Sequence, residues 1–133
     1  MPQMADITVK AANGTTDVIY ANVSASAGNN VPAIWQVTAL TTPASTRPEL
    51  RVTSVDSKDG TKRIVRGQYR YPQTVTDSTT GIVSVFGSAT GDFSLVIDKA
   101  LSKDTVDQQA AQLPNLLVSA LMKAVFQSGY APT

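Results

Sequence analysis

The runs Glu49-Leu-Arg-Val-Thr-Ser-Val55 and Thr61-Lys-Arg-Ile-Val-Arg-Gly-Gln-Tyr-Arg-Tyr71, joined by Asp56-Ser-Lys-Asp-Gly60, read as two antiparallel strands with a hairpin joint between them. Side chains alternate across a strand, so Glu49, Arg51, Thr53 and Val55 share one face. In the second run Lys62, Ile64, Arg66, Gln68 and Arg70 share a face, and Arg63, Val65, Gly67, Tyr69 and Tyr71 share the other. One side of the pair is therefore mostly polar and basic, the other mostly apolar and aromatic. Seven of the eleven basic residues fall between Arg47 and Arg70, against three acids. Such a patch on a chain of net charge +1 is the footprint of a surface that neutralises phosphates. A solvated sheet face is the competing reading of the same charges.

Working outward, Asp6 to Ala12 and Thr15 to Ala21 flank Asn13-Gly14 and predict an N-terminal hairpin over about 5–22. Ser24 to Asn30 reads as a loop, and Val31 to Thr38 as a strand entered at Pro32. Thr41 to Pro48, with two prolines, is a connection. On the C-terminal side Pro72 is expected to end its strand and Gln73 to Gly81 to form a projecting loop. Ile82 to Phe86 and Asp92 to Ile97 are strand-like, interrupted by Gly87-Ser-Ala-Thr-Gly91. In the latter run Phe93, Leu95 and Ile97 are expected to face the core. The sheet thus spans about 31–98.

From Ser102 the pattern turns helical. A helix capped by Ser102 or Asp104 is expected to break or kink at Pro114 and resume through Gln127, with Gly129 as its C-terminal cap. These helices occupy about 103–128. Asn115, Ser119, Lys123 and Gln127 stand four apart, a polar stripe over only about a third of the circumference. A helix so apolar must be covered on several sides, which one sheet face does not do. A second copy of the chain is the expected cover, in an obligate homodimer; burial against the chain's own N-terminal hairpin is the alternative.

Composition narrows the function. The 133 residues, 42% apolar and 16% charged, fit a single domain with an unusually uncharged surface. No Cys and no His removes disulfides, thiolate zinc sites and the commonest general base. No elbow, phosphate loop or paired-carboxylate spacing nominates a catalytic residue. No catalytic residue, metal or cofactor is expected. No apolar run reaches membrane-spanning length and no leader is recognised, which points to a soluble protein made in the cytoplasm with no membrane partner.

Taken in order, Ala12-Asn-Gly-Thr-Thr-Asp-Val18, Gly28-Asn-Asn-Val-Pro-Ala-Ile-Trp35, the two runs quoted first with Pro72, Phe93-Ser-Leu-Val-Ile97, Leu113-Pro-Asn-Leu-Leu117 and Ser128-Gly-Tyr130 resemble the coat protein of the small single-stranded RNA bacteriophages, the levivirus type. The resemblance covers nearly the whole chain from Ala5. It implies an α+β fold, an antiparallel sheet with an N-terminal hairpin and two C-terminal helices, interlocked as a homodimer. It implies a non-enzymatic protein that closes into an icosahedral shell around single-stranded viral RNA, found in the virion and assembled in the host bacterial cytoplasm. It further implies that the inner sheet face binds an RNA operator hairpin and represses replicase translation. The positions matching RNA-contacting residues are Arg51, Thr53, Arg66, Gln68, Arg70, Thr90 and Ser94, with Asp92 between the last two. Three positions depart from the family pattern: Val55 replaces a polar residue, Asp92 adds a negative charge, and Pro32 replaces a small apolar residue. The loop from Gln73 to Gly81 matches the one that gathers at the symmetry axes.

Two other readings use the same residues. One is a soluble dimeric RNA-binding module that never forms a shell. The other is a shell that holds RNA through charge alone.

Overall fold

The computed structural model describes residues 2–39 and 43–133. Two compact units emerge, Met1–Val96 and Ile97–Thr133. The first is a six-stranded antiparallel sheet in sequential order, β1 (Ile7–Lys10), β2 (Asp17–Ser24), β3 (Ala33–Gln36), β4 (Glu49–Asp56), β5 (Lys62–Thr76) and β6 (Val83–Asp98). A 3-10 turn at Ala44–Thr46 leads into β4. Of the connection expected from Thr41 to Pro48, its first two residues lie outside the described residues.

The N-terminal hairpin forms, though its turn is wider than two residues. Asn13 Oδ1 accepts the N–H groups of Thr15 and Thr16, both at 3.0 Å, and Gly14 takes a positive φ of 73°, which costs glycine nothing. Between β2 and β3 the register shifts after Asn22, so one extra residue on β2 changes which face its side chains join.

The joint between β4 and β5 is held by Asp59. Its carboxylate accepts from Ser57 Oγ at 2.5 Å, Thr61 Oγ1 at 2.8 Å and Thr61 N at 3.1 Å. Those bonds, the one from Ser57 foremost, lower its pKa from 3.8 to about 2. A carboxyl lowered on folding stabilises the folded state fully above 3.8 and loses that contribution as pH falls toward about 2. Melting curves across that window should therefore be less acid-sensitive for Asp59→Asn than for wild type; superimposable acid profiles would remove Asp59 from the account.

Several sequence expectations are corrected by the strands and helices. Pro72 does not end β5, which runs on to Thr76. β4 begins at Glu49, opposite Arg70, so beyond that point a missing N–H breaks no bond to β4. The loop expected from Gln73 to Gly81 shrinks accordingly to a turn closed by Asp77 N–H to the Ile82 carbonyl at 2.9 Å. Gly87 to Gly91 does not interrupt its strand either, since β6 is continuous for 16 residues. Glycine weakens a strand without forbidding it.

The second unit holds α1 (Lys103–Leu117) and α2 (Ala120–Ser128). Ser102 is the N-cap, accepting from Thr105 N, and Asp104 sits in the first turn where the helix dipole favours an anion. Pro114 lies inside α1 and does not break it. The break falls later, where Ser119 Oγ donates to the Leu116 carbonyl at 2.7 Å and accepts from Met122 N at 3.4 Å. A serine hydroxyl that competes in this way for backbone groups starts a new helix. The row of Asn115, Ser119, Lys123 and Gln127 is consequently not one continuous stripe. Gly129 closes α2 with φ 76°, as expected of a left-handed C-terminal cap. Among the described residues no helix is long and apolar enough to cross a membrane.

Neither helix contains a buried residue. Leu116, Val118, Leu121 and Phe126 are each at least 60% exposed. The buried apolar side chains among the described residues are those of Tyr20, Val37, Pro48 and Pro72. A folded monomer of this mass exposes about 6,700 Å², whereas this chain exposes 9764 Å².

Candidate nucleic-acid interface

Register places the quoted residues as alternation requires. Across β4 and β5, Glu49 stands opposite Arg70, Arg51 opposite Gln68 and Thr53 opposite Arg66. Directly opposite residues share a face. β3 adds Gln36 opposite Glu49 and Ile34 opposite Arg51.

β6 completes the surface. Glu49, Arg51, Gln68, Tyr69, Arg70, Thr90 and Asp92 line an open hollow of about 320 Å³. A second hollow beside it is lined by Arg66, Gly67, Gln68, Asp92, Phe93 and Ser94. Six of the seven site residues named from sequence line these two hollows, and the seventh, Thr53, stands opposite Arg66. Gly67 supplies the close approach between β5 and β6, since a Cβ built there would stand 1.8 Å from Phe93 Cε1.

Charge on this face is organised around a residue that the sequence reading left without a role. Glu49 is buried, 8% exposed. Its Oε2 accepts from Gln36 Nε2 at 2.6 Å, and its Oε1 accepts from Arg51 Nε. Burial alone pushes the Glu49 carboxyl up, but the bonds from Gln36 and Arg51 and the charges of Arg51 and Arg70 together hold it below its ordinary value. Arg70 Nη2 also donates to the Ser45 carbonyl at 3.2 Å. Arg63, of the other parity, pairs with Asp56 at 3.0 Å. Arg66 is different: among the described residues its guanidinium makes no hydrogen bond or ion pair, and it is exposed. Sequence could reveal that Glu49 shares the basic face, but Gln36, its neutral partner, is distant in the chain and unremarkable there.

The opposite face is aromatic, as parity predicted. Tyr69 Oη lies 3.4 Å from Tyr20 Oη, and burial, ahead of the neighbouring Tyr69 hydroxyl, pushes the Tyr20 phenol well above its ordinary value. Trp35 Nε1 donates to the Ala5 carbonyl at 2.8 Å. No group of three His, Cys, Asp or Glu side chains among the described residues could hold a metal ion.

No family model matches the sequence, and no curated protein matches it either. Solved structures do. The virus-like particle of Beihai levi-like virus 21 superposes with a TM-score of 0.82 over 99% of both chains, at 14% identity. The coat protein of bacteriophage EMS014 gives 0.79 over 99% of this chain and 100% of its own, at 16% identity. The capsid protein of bacteriophage GA gives 0.72 over 93% and 94%, at 19% identity. Identity this low leaves the likeness in the backbone, and the chain carries the fold of the RNA-phage coat proteins.

Proposed function

We propose that this chain is a viral capsid protein that pairs as an obligate homodimer and assembles into an icosahedral shell around single-stranded viral RNA. It is structural rather than enzymatic, belongs in the virion, and acts as one coat-protein domain. The observation that carries the reading is the pairing of a coat-protein fold spanning 99% of the chain with a protomer that buries so little. The excess of about 3,000 Å² per protomer over a monomer's expected surface, about 6,000 Å² counted on both partners, is at the large end of obligate interfaces. Leu121 and Phe126 on α2 are the side chains such an interface would cover.

The basic sheet face is the RNA-binding side of the shell, and an operator hairpin is its specific ligand, through which replicase translation is repressed. Arg51, Arg66 and Arg70 hold phosphates or stack on unpaired bases; Thr53, Gln68, Thr90 and Ser94 hydrogen-bond base edges in a single-stranded loop. Arg66 has no side-chain partner among the described residues to give up and meets phosphate directly.

Expression of the chain alone in bacteria, followed by size-exclusion chromatography with light scattering and the ratio of absorbance at 260 and 280 nm, tests both parts. Wild type is expected as an RNA-rich megadalton particle; a small RNA-free dimer would favour the soluble binding module instead. Arg66→Ala should flatten the salt dependence of RNA binding by about one phosphate contact, more than Arg51→Ala, whose guanidinium is already engaged by Glu49. Equal slopes for the two variants would remove that ranking.

A further inference from the structure

Glu49 is an oddity on a face proposed to bind a polyanion: a carboxylate 8% exposed, opposite Arg70 and bonded to Arg51, at the edge of the hollow that Arg51, Gln68, Arg70 and Thr90 also line. Both of its oxygens are occupied, one by Gln36 and one by Arg51. A surface built only to attract phosphate gains nothing from such a group, because it cancels one of the two arginines beside it. Nor is it a loose surface ion pair, since Glu49 is anchored from a third strand by Gln36.

We propose that Glu49 is a specificity-determining positioning residue: its anchored carboxylate fixes the Arg51 guanidinium at the rim of the hollow and offsets the Arg51 and Arg70 charges, so that RNA is held there by shape and base contacts rather than by backbone charge. The proposal rests on the RNA-binding reading above. An arginine held in one orientation presents its remaining N–H donors as a fixed fork, which rewards a correctly placed acceptor and little else. An unrestrained arginine follows any phosphate. Sequence-independent attraction to RNA scales with the positive charge available, so removing one cation's worth lowers the background against which a hairpin is recognised.

Two probes separate affinity from discrimination: an oligouridylate, and a pool of RNA stem-loops with randomised loops sorted by binding. Glu49→Gln, which keeps the shape and deletes the charge, is expected to bind the oligouridylate about tenfold more tightly, with a salt slope steeper by about one phosphate contact, while the spread of affinities among the loops narrows. Because Glu49→Gln could disturb folding, the double variant Glu49→Gln/Arg51→Met replaces the pair by neutral groups; it should return the oligouridylate affinity toward wild type and still lose discrimination among loops. Unchanged oligouridylate affinity and slope in Glu49→Gln, or full loop discrimination in the double variant, overturns the proposal while leaving the RNA-binding reading intact. A wild-type protein that binds neither probe overturns both.

Discussion

Phe126→Asp is expected to abolish particle formation. In the isolated chain Phe126 is 63% exposed on α2, and a charge introduced at an exposed helix position ordinarily changes stability by no more than about 0.5 kcal/mol. If a second copy covers α2, the same carboxylate must be buried against apolar side chains with no partner, at a cost of about 4 kcal/mol or more. The two accounts differ by a factor of several hundred or more in association. Light scattering on the purified variant reads the difference: no megadalton peak is expected, with the protein small or insoluble. Normal particles from Phe126→Asp would mean that α2 lies uncovered, and the proposed homodimer would have to be built without it. Leu121→Asp, at 60% exposure five residues earlier on α2, should behave alike if the partner covers the helix on more than one side.

Gly67→Ala carries the second large effect. The added Cβ would fall 1.8 Å from Phe93 Cε1 and 2.0 Å from Cζ, so the ring must leave its place over β5. Forcing a methyl group into an occupied site costs about 1–3 kcal/mol. The clash is with one side chain, which makes a cycle decisive. In a Phe93→Ala background the same substitution should be nearly neutral, giving a coupling of at least about 1 kcal/mol between the two positions. Additive losses would place the strain in the β5 backbone instead. Since Gly67 and Phe93 sit beside Arg66, Gln68 and Ser94 in the second hollow, Gly67→Ala should weaken RNA binding as well as stability.

The face of the sheet was legible because a strand has the simplest geometry a sequence can encode. Alternation by two put Arg51 with Thr53 and Arg66 with Gln68 and Arg70, and the β4 to β5 register needed only a hairpin to align them. Punctuation was harder. Pro72, the Gly87 to Gly91 stretch and Pro114 are all breakers by local propensity, and none of them breaks its element. The penalty is about 3 kcal/mol for a proline inside a helix and about 1 kcal/mol across the strand propensities, and in these elements the rest of the strand or helix outweighs it. The reverse error fell at Ser119, a residue tolerated inside helices, which here ends one by bonding both backward and forward. Glu49 was placed on the right face, but its role depends on Gln36, and a contact between strands β3 and β4 leaves no mark on local pattern.

A protomer whose described residues bury only Tyr20, Val37, Pro48 and Pro72 as apolar side chains gives the timing of synthesis a meaning. If partner contacts supply most of the apolar burial, folding and association become a single second-order event, and the melting temperature rises with protein concentration. A newly made chain is then in a race between meeting its like and joining its exposed strand edges to whatever is near. Clustered ribosomes reading one message would decide that race by crowding identical chains together at birth, so that yield of native protein depends on the density of translation rather than on the total amount made.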